Sequence, residues 1–142
     1  MIKQDYLLRM IQEIISMLVE ALLYRKKLRK EEWTSYDSQL NTLLGMPTNE
    51  LMALNADDLI SRYAEMQDGM NKLELSAVTM LKLSDEMGDE HLLQKSRLRQ
   101  EGLMLLKYIQ EHSDSYSMQR ALLINLLDKD AWNAFLTVPN YR

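Results

Sequence analysis

The N-terminal segment from residue 3 to residue 31 contains neither glycine nor proline, and this continuity predicts one long α-helix. Asp5 lies in its first turn and a cluster of basic residues in its last turns, which suits the helix dipole. When the residues are placed about 100° apart, apolar side chains cover more than half of the circumference up to residue 24. A single neighbouring layer covers a stripe of only somewhat more than about 100°. We therefore expect this helix to be buried on two sides.

Two arrangements bury such a helix. Either it is the central helix of the domain, or it packs one flank on its own chain and the other on a second copy. The flanks are separable, with Ile14 on one and Ile15 on the other. A helix lying on a membrane surface is disfavoured, because the polar stripe carries few Lys or Arg residues before residue 25. The candidate residues for an interface with a second copy are Leu7, Leu8, Ile11, Ile15, Leu18 and Leu22.

The rest of the chain also favours helices. Only four glycines and two prolines occur in 142 residues, which is few for the many turns that a many-stranded β fold requires. Short runs of turn-forming residues separate stretches in which apolar residues recur with helical spacing. Such short connections favour helices that pack as antiparallel neighbours. Gly102, inside one predicted helix, either permits a close approach of two helices or only lowers stability. We predict an all-α fold with a single domain over residues 1–142, in which an array of antiparallel hairpins over residues 36–136 follows the long helix.

Two segments resemble a known family. Asp5–Ile11 (DYLLRMI) and Leu43–Met46 (LLGM) are similar to the start of a family of small, uncharacterised bacterial helical proteins without an assigned activity. The resemblance covers most of the chain and implies an all-helical bacterial protein whose C-terminal part packs like tetratricopeptide hairpins. It carries over no catalytic residue. The tetratricopeptide spacing of Trp, Leu-Gly and Tyr is not matched, so the expected similarity concerns packing and not a sequence repeat.

Five basic residues crowd into positions 25–30 of a chain whose net charge is −4. They form a solvated helix end, a contact with an acidic partner such as a sister subunit, or a site for nucleic acid or anionic lipid. The acidic net charge and the lack of a second basic segment disfavour nucleic acid and membrane as partners. The candidate contact residues are Arg25, Lys26, Arg29 and Lys30.

Motifs that carry chemistry are missing from the sequence. It contains no cysteine, and the two histidines, His91 and His112, stand in neither a Glu-x-x-His nor a His-Glu-x-x-His motif. The acidic run around Gly88 lacks the ligand spacing of an EF-hand, and no phosphate-binding glycine loop or nucleophile elbow occurs. We therefore predict a protein that is not an enzyme and has no catalytic residue, no metal site and no cofactor.

The N-terminal apolar stretch is interrupted by Asp5, Arg9 and Glu13 and is too short to span a bilayer, so we expect a cytoplasmic protein. The predicted function is that of a non-enzymatic interaction or scaffold protein, homodimeric through its N-terminal helix. The alternative is a small-ligand-binding helical protein, or a minor enzyme, with a pocket between helices. A deep pocket with convergent polar groups favours the alternative, and an exposed or self-paired apolar face favours the interaction protein.

Overall fold

The computed structural model describes residues 4–137, with side chains described as far as residue 128. This part of the chain contains seven α-helices and no β-strand, which confirms the all-α class. A 3-10 turn, Asp89–His91, joins the fifth helix to the sixth. The helices are α1 (Gln4–Leu23), α2 (Lys30–Leu44), α3 (Thr48–Leu51), α4 (Ala56–Tyr63), α5 (Gly69–Glu86), α6 (Leu92–His112) and α7 (Met118–Thr137).

The central helix is α5. It contacts α1, α2, α3, α4 and α6, whereas α7 packs on α6 and α1. Every residue of α5 from Leu75 to Lys82 is buried, as a helix enclosed on all sides requires. α1 instead keeps a polar stripe in water, which includes Arg9, Glu13 and Glu20. The helix that the others surround is therefore α5 and not the N-terminal helix.

The N-terminal helix is shorter than predicted. α1 ends at Leu23 and α2 begins at Lys30, so the expectation of one helix over residues 3–31 is wrong. The expected start of the helical array near residue 36 is wrong for the same reason. The basic cluster consequently lies in the connection between α1 and α2 and at the first residue of α2, rather than in the last turns of α1.

A left-handed turn at Arg25 ends α1. The φ angle of Arg25 is 56°. The Lys26 N–H donates a hydrogen bond to the Ala21 carbonyl (2.9 Å), and the Arg25 N–H donates to the Leu22 carbonyl (3.4 Å). These two bonds define a Schellman motif, in which the left-handed position is usually glycine. The sequence holds no glycine there, and so the end of the helix carries no local signal.

The glycine inside α6 marks the closest approach between α5 and α6. A β-carbon built on Gly102 would lie 2.8 Å from Leu81 Cγ and 3.1 Å from the Ala77 carbonyl oxygen of α5. Contacts this short are closer than normal van der Waals distances of about 3.5–4.0 Å. Of the two roles predicted for Gly102, the structure supports the close approach of two helices.

Candidate functional site

The predicted interface on α1 is mostly covered by the chain itself. Ile11, Ile15 and Leu18 are buried in the core, and Ile14 on the opposite flank is buried as well. Leu7 and Leu22 are partly buried and pack against that core, and Leu8 is partly buried. Both flanks of α1 therefore face the chain's own helices, and this set of residues does not form an exposed apolar face.

The predicted basic contact residues, by contrast, all point into water. We call residues 25–30 the basic segment. Lys26 lies 4.0 Å from the Glu20 carboxylate, and Arg29 Nε lies 3.3 Å from that of Glu32. Within residues 4–128, the other three cations of the segment have no ion pair. Its exposed cationic side chains are Arg25, Lys26, Lys27, Arg29 and Lys30.

Two side chains near the C-terminal end of α5 hold the backbone of the basic segment. Glu86 accepts hydrogen bonds from the Leu28 N–H and from the Trp33 Nε1–H, each at 2.7 Å. Lys82 is fully buried, donates a hydrogen bond to the Lys26 carbonyl and pairs with Glu86 at 3.3 Å. A buried ammonium group is costly unless its charge is compensated and its hydrogens are bonded. The basic segment is thus fixed in one position by contacts from a distant part of the chain.

As far as residue 127, the exposed side of α7 carries no charged side chain; its large exposed side chains are apolar, and Gln119 and Asn125 are polar. From residue 115 to residue 127 the sequence has one charged residue, Arg120, and that residue is buried. Met118, Leu122 and Leu126 are 74%, 49% and 40% exposed, and their four-residue spacing places them on one side of the helix. We call these three residues, with the exposed Tyr116 next to them, the α7 face. Sequence analysis missed this face, although the spacing and the absence of charge are both visible in the sequence.

A polar pocket of about 260 Å³ lies where α1, α5 and the α6–α7 connection meet. Its two charged lining residues are paired with each other, because Arg120 Nη1 lies 3.1 Å from the Glu74 carboxylate. Arg120 also donates hydrogen bonds to Gln110 Oε1 (2.7 Å) and to the Ser115 carbonyl (2.8 Å). Burial raises the pKa of Glu74 above its ordinary value, and the attraction of Arg120 opposes that rise. The pair ties α7 to α5.

Tyr36 and His112 are of residue types that invite a chemical role, but both are engaged in packing contacts. The Tyr36 hydroxyl shares a buried hydrogen bond with Thr79, and burial raises the pKa of Tyr36 above its ordinary value. His112 stacks on Tyr108, with ring centroids 4.1 Å apart, and its Nδ1 lies 2.8 Å from the Tyr108 carbonyl oxygen. His91 is exposed in the 3-10 turn. Within the part of the chain that the structure describes, no group of three or more His, Asp or Glu residues is arranged to hold a metal ion.

Comparison with known protein families, with curated proteins and with solved structures gives no match. None of the helices among the described residues has the length and apolarity needed to cross a membrane. Two surfaces of the described part of the chain stand out, namely the α7 face and the basic segment.

Proposed function

We propose that the protein is a non-enzymatic interaction or scaffold protein that assembles with a second copy of itself through the α7 face. The observation that carries this proposal is the absence of charge from that face, in a chain of which 27% of the residues are charged. The centres of protein interfaces are depleted in charge and enriched in Met and Tyr, as this face is. The proposed dimer contact therefore lies on α7 and not on α1, where the predicted interface residues are buried or partly buried.

A second copy is the occupant that suits this face best. In a two-fold dimer each patch meets an identical patch, so a charged patch would meet its own charge. Two uncharged faces avoid that repulsion, which matters for a chain with a net charge of −4. The row from Met118 to Leu126 extends about 12 Å along the helix, at about 1.5 Å per residue. This length suits an antiparallel contact between two α7 helices.

The expected tetratricopeptide-like packing of the C-terminal part agrees with the same role. Helical-repeat proteins use stacked hairpins as binding surfaces, and an interaction role in a bacterial cytoplasm agrees with the lack of cysteine. The alternative, a small-ligand-binding protein, draws support from the polar pocket beside Glu74. Its volume of about 260 Å³ is smaller than the roughly 300–1,000 Å³ of typical ligand sites, and its charges are paired. A cleft lined by Trp33 and Met87 is larger, about 430 Å³, but its two carboxylates, Asp37 and Glu86, already accept hydrogen bonds from the chain's own N–H groups. We therefore favour the interaction protein.

A pair of matched leucine variants tests the proposal. Leu122→Asp puts an unpaired carboxylate into the proposed interface from both copies, which we expect to raise the dimer Kd about a hundredfold or more, from a cost of about 3 kcal/mol. Leu93→Asp, on α6 and 88% exposed, is the control and should leave assembly unchanged. Light scattering gives the mass, and circular dichroism verifies that both variants are folded. A wild-type protein that stays monomeric at high micromolar concentration would overturn self-assembly.

A further inference from the structure

We infer that the basic segment is a docking site for an acidic peptide segment of a partner protein, and that the charge of Arg25 serves this contact. The inference rests on the proposed role as an interaction protein, but it uses residues other than those of the α7 face. It follows from three observations, namely a strained arginine, a fixed backbone and a neighbouring apolar cleft.

The strained arginine is the first observation. Arg25 has a φ of 56°, a conformation that costs a residue with a β-carbon about 1–2 kcal/mol and that glycine adopts freely. The Arg25 side chain is exposed and makes no hydrogen bond or ion pair within residues 4–128. No polar contact of the Arg25 side chain in the described structure therefore offsets the cost of its left-handed backbone conformation. Strained residues that the surrounding structure holds in place cluster at functional sites.

The fixed backbone is the second observation. Lys82 and Glu86 bind the main chain on either side of Lys27, at the Lys26 carbonyl and at the Leu28 N–H. The cations therefore start from a common, ordered backbone and not from a loose loop. A preorganised surface loses less conformational entropy on binding, which raises affinity without any additional contact.

The surroundings of the basic segment define the partner. Asp85 lies on one side, where it pairs with Lys82 at 3.1 Å, so an extended polyanion would meet negative charge beyond the short cationic surface. On the other side a cleft of about 430 Å³ opens between α2 and the end of α5, and its lining includes Lys30, the apolar side chains of Trp33 and Met87, and two carboxylates. These carboxylates, Asp37 and Glu86, are already engaged, because they accept hydrogen bonds from the Thr48 N–H, the Leu28 N–H and the Trp33 Nε1–H. These features fit a short peptide whose acidic residues flank an apolar side chain that enters the cleft.

The first test separates binding from folding. The probe is a fluorescein-labelled peptide of glutamates flanking one leucine, and its anisotropy is measured at low and at high salt. Arg25→Gly should weaken binding about two- to fivefold, the effect of losing one exposed ion pair. The same variant should be at least as stable as the wild type to urea, because glycine relieves the left-handed strain. An unchanged affinity for Arg25→Gly would overturn the inference.

The second test separates a fixed site from general attraction of opposite charges. Glu86→Gln and Glu111→Gln each remove one negative charge, but Glu111 is exposed near the opposite end of the α5–α6 pair. General attraction predicts that both variants bind the peptide more tightly. The inferred site predicts weaker binding for Glu86→Gln alone, because the basic segment then lacks the carboxylate that holds its backbone in place. Tighter binding by Glu86→Gln would refute the inference.

Two further probes decide the class of partner. Oligothymidylate and phosphatidylserine vesicles carry negative charge without an acidic peptide backbone, and we expect both to bind more weakly than the peptide at equal salt. Equal or tighter binding of either probe would overturn the assignment to an acidic peptide. Arg25 and Leu126 of the α7 face line one cleft of about 190 Å³, so light scattering on Arg25→Gly must show that the α7 dimer persists before a loss of peptide binding is assigned to the basic segment. A monomeric wild type that still binds the peptide would reject only the dimer.

Discussion

Replacing Gly102 with alanine measures how closely α5 and α6 approach each other. The added methyl group would lie 2.8 Å from Leu81 Cγ and 3.0 Å from Leu81 Cδ2, and Leu81 is buried. Overpacking of this kind costs about 1–3 kcal/mol, while the higher helix propensity of alanine returns about 1 kcal/mol. We therefore expect Gly102→Ala to lower the free energy of unfolding by about 1 kcal/mol.

A double-mutant cycle with Leu81→Ala identifies the cause of that loss. Leu81→Ala alone should cost about 2–5 kcal/mol, because it leaves a cavity between the helices. On this background Gly102→Ala no longer meets the leucine branch, so we expect it to be neutral or stabilising, with a coupling energy of about 1–2 kcal/mol. Urea denaturation followed by circular dichroism gives all four free energies. A Gly102→Ala variant that is more stable than the wild type, or equal effects in both backgrounds, would refute the close approach.

Two other substitutions test the buried carboxyl and the α4–α5 turn. Burial raises the pKa of Glu74 above its ordinary 4.5 in the folded protein, so protonation favours folding, and the stability of the wild type relative to Glu74→Gln should fall as pH rises above 4.5. A rise in a pH series of urea denaturation would mean that Arg120 outweighs burial. Gly69→Ala should cost about 3 kcal/mol, because its β-carbon would lie 1.9 Å from the Tyr63 carbonyl oxygen, which is backbone and cannot rotate away. Urea stability close to that of the wild type would contradict this geometry.

Helix boundaries were predictable wherever a residue with a local backbone preference marked them. Gly45, with a φ of 83°, ends α2, and Asn55 caps α4 by accepting a hydrogen bond from the Asp58 N–H at 2.9 Å. The end of α1 has no such marker, because an arginine takes the place of glycine. The contacts that hold this turn come from Lys82 and Glu86, far along the chain. A local pattern does not contain that tertiary information.

The candidate surfaces were also predictable only in part from the sequence. The wide apolar arc of α1 correctly predicts burial on two sides, because Ile14 and Ile15 are both buried. Burial by the same chain and burial by a second copy produce the same pattern, however, and only the packing of α5 and α7 on α1 distinguishes them. The α7 face was within reach of the sequence, since Met118 and Leu126 bound an uncharged outward stripe.

The packing of α1 on α5 has a consequence for synthesis. α1 leaves the ribosome before α5, which begins only at Gly69, so Ile11 and Leu18 stay without their main partner until α5 has been made. At about 5–20 residues per second this interval is on the order of a few seconds. A helix forms in about a microsecond, so α1 has ample time to form and to expose its apolar side before α5 arrives. We therefore expect the apolar side chains of α1 to be accessible to chaperones during this interval.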